Sequence, residues 1–278
     1  MHIKPNRVLP IFIRNGIGIF FILSIVLFTV YFNFENIIVP KNADEEMYSN
    51  VSNNFTVEHI KYLYSNTLEL KPLTFLTLQK ILDSSNYVYT RALSFILIFI
   101  VTILIYKMTN NKLAFLYVFI PIFLDAMWLT VEIIEVLFIL LMIQYKNKSG
   151  IFVGILTIFR PTAILYSVFL NKKQFLYVLG IGAAFALLLL YLGLFFPYLH
   201  DVTSYPETTF GTRADPIIIL YFIMLLIMGI SNKKMRPYVV VSAIPLLMKA
   251  FWHYFLPVYT FLFIAYLLNM NDDIEEIK

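Results

Sequence analysis

The chain contains no cysteine among its 278 residues. This excludes a disulfide framework, thiolate catalysis and a cysteine-based metal site. Charged side chains are also scarce, at 14% of the residues, whereas soluble domains average about 25%. The sequence has no glycine-rich dinucleotide fingerprint, P-loop, HExxH pair or nucleophile elbow, so a nucleotide-driven pump is not expected.

What the chain has in abundance is apolar sequence. Hydrophobic residues make up 60% of it and its mean hydropathy is +0.79, which is typical of an integral membrane protein. The net charge of +4 fits basic loops that set membrane orientation, so no nucleic-acid partner is expected. The first apolar run lacks a small-residue cleavage site and is long enough to span, so we expect a retained helix.

The apolar runs predict an all-α fold. We expect a polytopic transmembrane helix bundle of about 8–9 membrane segments, forming a single integral membrane domain over residues 1–278. The runs that define these segments are 16–32, 92–106, 113–145, 150–170, 174–199, 216–230 and 237–269.

Lysine and arginine clusters set the predicted orientation. They lie before the first run and in the short loops at 107–112, 146–148, 172–173 and 233–236. All can be cytoplasmic, together with both termini, if 113–145 and 174–231 each form a pair of spans and 150–170 is a re-entrant hairpin. The alternative for 150–170 is one straight span. The expected location is a plasma membrane or an ER-type membrane, with the functional side facing outward or into the lumen.

The longest polar segment, residues 33–90, is then an extracytoplasmic loop. Within it, "FTVEHIKYLYSN" and "LTFLTLQKIL" place apolar residues at helical spacing, which predicts amphipathic helices in the membrane interface.

Five ionisable residues interrupt the apolar runs. Such residues are costly in a membrane and usually face a cavity or a charged partner. Two interpretations are open: structural pairing, such as Arg160 with Glu132, or a functional site near the outer face. The five are Asp125, Glu132, Glu135, Arg160 and Lys249.

The acidic stretch "KNADEEMYSN", residues 41–50, follows the first span. Asp44 and Glu45 are either solvated loop acids or carboxylates at the mouth of a membrane cavity, acting as a base or as ligands of a divalent metal. Tyr48 follows Asp44 at helical spacing. Lys71 precedes Pro72, a residue that favours a helix start, where backbone N–H groups attract anions. The alternative for Lys71 is a lysine that extends to the membrane interface, and Arg91 at such a position is more commonly an interfacial anchor.

These motifs occur in a recognisable order: "ADEEMY", "ELKPLTFLTLQKIL", "TRALSFILIFI", "DAMWL", "FRPTAIL" and "HYFLPVY". Together they resemble the GT-C superfamily of membrane glycosyltransferases, in the branch of the protein O-mannosyltransferases and the aminoarabinose transferases of lipid A. The resemblance covers most of the chain, although each motif is short and the second proline of the family's Lys-Pro-Pro pattern is replaced by Leu73.

The resemblance implies a sugar donor carried on a polyprenyl or dolichyl phosphate, and a lipid, glycan or protein acceptor. It implies Asp44 as the base, with Glu45 beside it, and Lys71, Arg91, Arg160 and Lys249 as donor-phosphate ligands. Tyr48, Asp125, His253 and Tyr254 would contact substrate. No cofactor follows with certainty, and a divalent metal would fall to Asp44 and Glu45.

On this hypothesis, the acceptor hydroxyl attacks the sugar in a single inverting displacement. Two other classes stay open on the sequence. A transporter or flippase for lipid-linked sugars also uses buried charges and broken helices. A non-catalytic subunit of a glycan-assembly complex would bind the donor without turning it over.

Overall fold

Helical periodicity in the sequence is realised throughout the described part of the chain. The computed structural model describes residues 50–66, 72–82, 87–123, 131–201, 232–248 and 255–277. Over these ranges the chain forms helices and turns and no strand, so the predicted all-α class is confirmed. The predicted run at 16–32 and the run at 216–230 lie outside the described residues.

Nine α-helices of the described ranges are named here α1 to α9. They are α1 Val57–Asn66, α2 Leu73–Ile81, α3 Tyr87–Thr109, α4 Phe119–Phe123, α5 Val131–Gln144, α6 Ser149–Phe159, α7 Lys172–Tyr191, α8 Arg236–Met248 and α9 Leu256–Ile277. Three 3-10 segments join them, Lys112–Val118, Lys146–Lys148 and Pro161–Phe169, and a further helical segment covers 195–201.

Two helices, α3 and α7, are long and apolar enough to cross a membrane. A third span results if α5 and the helical residues up to Phe159, which meet at 119°, form one broken span. The described residues therefore carry two to three candidate spans. Within residues 113–145, expected as two spans, the described parts are the 3-10 segment to Val118, α4 and the 14-residue α5. Residues 124–130 lie outside the described residues, so the pair of spans stays a prediction.

The two helices expected in the 33–90 loop are present as α1 and α2. In α1, Ile60 and Tyr64 are buried four residues apart, the spacing of an amphipathic helix. In α2, four residues are buried, among them Phe75 and Gln79, because this helix packs on α6. α2 is thus packed within the protein, whereas the interface location of both helices stays a prediction.

Backbone contacts divide the chain into two compact units. The described residues of the first are 99–123, 232–248 and 255–277, and those of the second are 50–66, 72–82, 87–98 and 131–201. The prediction of a single membrane domain over the whole chain concerns its placement in a bilayer and stays a prediction.

The first unit is centred on α9, which packs on α8 and on the segment from Lys112 through α4. Tyr117 and Thr260, both fully buried, share a hydrogen bond of 2.9 Å between their hydroxyls. Asn232 accepts from the backbone N–H groups of Lys234 and Met235 and donates to Asn269 at 2.8 Å. These bonds satisfy polar groups that would be costly to bury alone.

In the second unit, α6 packs between α5 and α7. Gly150 and Gly154 allow close packing of α6 on α7. A Cβ added at Gly150 would lie 2.2 Å from the backbone oxygen of Gln174, and one added at Gly154 would lie 2.6 Å from the Ile181 side chain. This small-xxx-small pattern is typical of membrane helix pairs.

The start of α6 lies beside the start of α7, where the Gln174 side chain also donates to the Lys146 carbonyl. Further along, Gly154 faces Val178 and Ile181, so the two helices run parallel. The 3-10 segment Pro161–Phe169 must therefore carry the chain back. Residues 150–170 form a chain reversal with Arg160 at the break, and re-entry into a membrane stays a prediction.

The cap residues of α7 explain its limits. Asn171 and Gln174 form a reciprocal capping box at its start. At its end, Gly193 adopts φ +68°, Leu194 N–H bonds to Leu189 O and Gly193 N–H to Leu190 O, which is a Schellman motif. The run expected to continue to Leu199 therefore ends as a helix at Tyr191.

Candidate functional site

The break at Arg160 is dictated by the proline that follows it. Pro161 disfavours helical backbone at the preceding residue, and Arg160 is accordingly extended, with φ −147° and ψ 104°. Its N–H still closes α6 on the Leu156 carbonyl at 2.8 Å, and its own carbonyl accepts from Ala163 at 2.9 Å. The side chain of Arg160 is thus presented from the junction of two helical segments.

Two carboxylates of α5 receive this guanidinium. Arg160 Nη1 lies 2.7 Å from Glu132 Oε1 and 2.7 Å from Glu135 Oε2. The side chains of Glu132 and Glu135 are 1% and 2% exposed and that of Arg160 is 12% exposed. Glu132 and Glu135 are three residues apart on one helix, so both reach the same side of α5.

Hydroxyl groups complete this cluster. Tyr166 donates to Glu135 Oε1 at 3.0 Å, and Arg160 Nε donates to Thr162 at 3.2 Å. Both hydroxyls belong to the 3-10 segment that begins at Pro161. We call Glu132, Glu135, Arg160, Thr162 and Tyr166 the Arg160 cluster. It ties the segment after the break to the beginning of α5.

With both carboxyls ionised, the Arg160 cluster has one positive and two negative charges, a formal sum of −1. An isolated buried charge is costly, and pairing offsets that cost. The arrangement realises the structural pairing of Arg160 with Glu132 considered from the sequence, and adds Glu135. An incoming phosphate would have to compete with two carboxylates for the guanidinium.

Helix α2 bonds at one end to α6 near Arg160 and at the other end to Ser52. Pro72, directly after Lys71, is the N-cap of α2 with φ −52° and ψ 150°, so a helix does start where the sequence predicts. Thr74, in the first turn, donates its hydroxyl to the carbonyl of Ile158, two residues before Arg160. At the other end, Lys80 Nζ donates to the carbonyl of Ser52 at 2.8 Å, and Ser52 is buried. One short helix thus fastens residues 50–53 and the end of α6 together.

Of the predicted site residues, two lie in the described ranges. Arg160 belongs to the cluster above, and Arg91 is exposed in the first turns of α3, where its position at the start of a candidate span is confirmed. The others lie outside the described residues: Asp44, Glu45, Tyr48, Lys71, Asp125, Lys249, His253 and Tyr254. Among the described residues, no group of three or more His, Asp or Glu side chains could hold a metal ion.

Sequence reasoning missed a second polar cluster, formed by Tyr64, Tyr198 and Asp201. The rings of Tyr64 and Tyr198 meet edge to face with centroids 5.4 Å apart, and Asp201 is 2% exposed. Burial and the negative charge of Asp201 raise the pKa of both phenols above the ordinary value, and Tyr198 further raises the pKa of Tyr64. The available signal was Asp201 at the boundary of an apolar run, but its partner Tyr64 lies far away in the sequence.

Comparisons with known proteins identify no relative of this chain. No family model matches the chain, and searches of the curated proteins and of the solved structures find no significant match. The resemblance to the GT-C superfamily therefore rests on the order of the sequence motifs.

Proposed function

We propose that the chain is an integral membrane glycosyltransferase. It transfers a sugar from a polyprenyl-phosphate donor to an acceptor hydroxyl on the extracytoplasmic side of the membrane. The candidate spans α3 and α7 support the membrane part of this proposal. The order of the acidic, Lys-Pro and Arg-Pro motifs supports the enzymatic part.

One structural observation carries the proposal furthest. α2 begins directly after the predicted phosphate ligand Lys71, and its first turn bonds to α6 just before Arg160. Its last turn bonds to Ser52, shortly after the acidic stretch that contains Asp44. The Lys-Pro motif thus adjoins the end of α2 that contacts α6 just before the Arg-Pro motif, which supports a site shared by Lys71 and Arg160.

In the proposed reaction, Asp44 accepts the proton of the acceptor hydroxyl while its oxygen attacks the anomeric carbon. The new carbon–oxygen bond forms as the bond to the phosphate oxygen breaks, and the electron pair leaves on the polyprenyl phosphate. A positioned general base contributes about 10²–10⁴-fold in rate. Single displacement inverts the anomeric configuration.

Cations would stabilise the charge on the departing phosphate. Lys71, Arg91 and Lys249 are proposed as direct ligands. Arg160 can join them only by exchanging a carboxylate partner for the phosphate, because Glu132 and Glu135 already neutralise it. Its second proposed role is therefore to fix the turn at Pro161 beside α2.

The test is sugar transfer by the purified full-length chain in lipid nanodiscs. Polyprenyl-phosphate sugars labelled in the sugar are offered with a panel of lipid, glycan and peptide acceptors. We expect one donor–acceptor pair to give product, Asp44→Asn to abolish it, and the neighbouring Glu46→Gln to retain it. Absence of transfer from every donor, or activity of Asp44→Asn near that of the wild type, would contradict the proposal.

The second candidate is a transporter or flippase for lipid-linked sugars. It is favoured by buried charges at a helix break, as at Arg160, because transporters build substrate sites from interrupted helices. This function predicts movement of a fluorescent lipid-phosphate sugar between the leaflets of proteoliposomes. A transferase predicts no such movement.

A further inference from the structure

Helix α7 differs from α3, the other candidate span, in how little of it the protein covers. Only 11% of its most apolar window is buried, against 39% for α3. Val178 and Leu189 are its buried residues, and Val178 lies against Gly154 of α6. Most of the circumference of α7 is therefore free to contact something other than the described protein.

The uncovered side is strongly apolar. Leu176 and Leu187 are 65% and 66% exposed, and Leu179 and Leu190 are 49% and 47% exposed. We call Leu176, Leu179, Ala183, Leu187 and Leu190 the outer face of α7. Successive members are three or four residues apart, so they form one stripe along the helix. A continuous apolar stripe of this kind in water would be an aggregation liability.

The length of α7 fits one particular occupant. Its 20 residues extend about 30 Å, which matches the hydrocarbon thickness of a bilayer. No charged residue occurs from Gln174 through Leu199. The stripe is bounded by Lys172 and Lys173 at one end and by Tyr191, 88% exposed, at the other, and tyrosine is typical of the membrane–water boundary.

The two lysines also indicate the charge of that occupant. Lys172 and Lys173 are exposed in the first turn of α7, where the positive end of the helix dipole disfavours cations. Helix electrostatics therefore does not explain their position. Anionic lipid headgroups attract lysines beside a membrane span.

We propose that the outer face of α7 is a lipid-contacting surface. It spans the acyl-chain region between Lys172 and Lys173, which bind anionic headgroups of one leaflet, and Tyr191, which lies at the opposite interface. This inference rests on the membrane location in the proposed function but not on sugar transfer, because it concerns only the side of α7 that the described protein leaves uncovered.

The natural absence of cysteine permits a direct test. Single cysteines replacing Leu179 or Leu187 are spin-labelled, and Val178→Cys and Leu189→Cys serve as matched controls on the protein-facing side. The full chain is reconstituted in vesicles of mixed phosphatidylcholine and phosphatidylglycerol. Collision of the label with oxygen, which enters the bilayer, is compared with collision with a water-soluble nickel chelate.

We expect the outer-face labels to collide with oxygen and not with nickel, and the controls to collide with neither. Nickel access along the whole outer face would overturn the proposal in favour of water. A label at Leu187 that is protected from oxygen, together with dipolar broadening between labels at Ala183 of two chains, would show that a second copy of the chain covers this face and would overturn the proposal.

Headgroup binding is tested separately. A bimane on Leu176→Cys is quenched with brominated phosphatidylglycerol or with brominated phosphatidylcholine at equal mole fraction. We expect stronger quenching by the anionic lipid, and loss of that preference in the Lys172→Gln/Lys173→Gln double variant. Equal quenching by both lipids in the unmodified background would contradict a headgroup role for the lysines.

Discussion

Arg160 and Glu132 form an ion pair of 2.7 Å between residues that lie 28 positions apart, across the reversal between α5 and α6. Because Glu135 is equally close to the same nitrogen, the pair is part of a cluster with more negative than positive groups. The composition of this cluster decides which substitution is tolerated.

Removing the cation is expected to cost far more than removing one acid. Arg160→Met removes the guanidinium that pairs with two buried carboxyl groups, and breaking a buried pair in this way costs about 3–5 kcal/mol. Glu132→Gln leaves a balanced Arg160–Glu135 pair and an amide oxygen that can still accept from Arg160. We expect a large fall in the thermal unfolding midpoint for Arg160→Met and a small one for Glu132→Gln, measured by intrinsic fluorescence in one detergent. Equal effects would contradict the paired arrangement.

Replacement by alanine should lower the stability of the chain at Gly150 of α6 and raise it at Gly180 of α7. Gly150→Ala places a Cβ 2.2 Å from a backbone oxygen of Gln174, so the two helices must separate. Gly180→Ala meets nothing within 4 Å, and should stabilise the helix by up to about 1 kcal/mol through intrinsic propensity. Thermal unfolding of both variants checks this, and a stabilised Gly150→Ala would show that α6 and α7 do not pack as described.

How much of this fold the sequence predicts depends on how local each cause is. The helices α1 and α2 follow from apolar spacing within each segment, and Pro72 marks a helix start as expected. The break at Arg160 likewise follows from the proline beside it. In contrast, the prediction of one continuous span from Gln174 to Leu199 is wrong, because the helix ends at Tyr191. The apolar composition of the run does not reveal this end, which the left-handed Gly193 causes.

Long-range partners are harder to predict. Pairing of Arg160 with Glu132 was one open interpretation, since buried charges need partners. The addition of Glu135 and Tyr166 depends on how α5, α6 and the following 3-10 segment pack, which no local pattern specifies. The association of Tyr64 with Asp201 has the same origin, because it joins α1 to a segment beyond α7.

Gly193 ends α7 in a conformation that few residues adopt. Its φ of +68° costs a residue with a Cβ about 1–2 kcal/mol. We expect Gly193→Val to destabilise the chain more than Gly193→Asn, because asparagine tolerates the left-handed region better. Thermal unfolding of the two variants measures the difference. Equal stability would contradict the Schellman ending.

The cluster of Tyr64, Tyr198 and Asp201 predicts a loss of stability at alkaline pH. The pKa of both phenols is raised in the folded chain by burial and by Asp201, so the folded state holds their protons more tightly than the unfolded state. Their contribution is complete below the unfolded pKa of about 10 and falls as pH rises above it.

Tyr64→Phe removes one titrating group from this cluster, and unfolding midpoints at pH 9 and pH 11 should therefore differ less in the variant than in the wild type. Tyr62→Phe, at an exposed position of the same helix, is the matched control and should retain the wild-type difference. Asp201→Asn should lower the phenolate titration midpoint measured by ultraviolet absorbance, because it removes a negative charge that opposes ionisation. An identical pH dependence in Tyr64→Phe and wild type would show that the Tyr64 phenol is not buried beside that carboxylate.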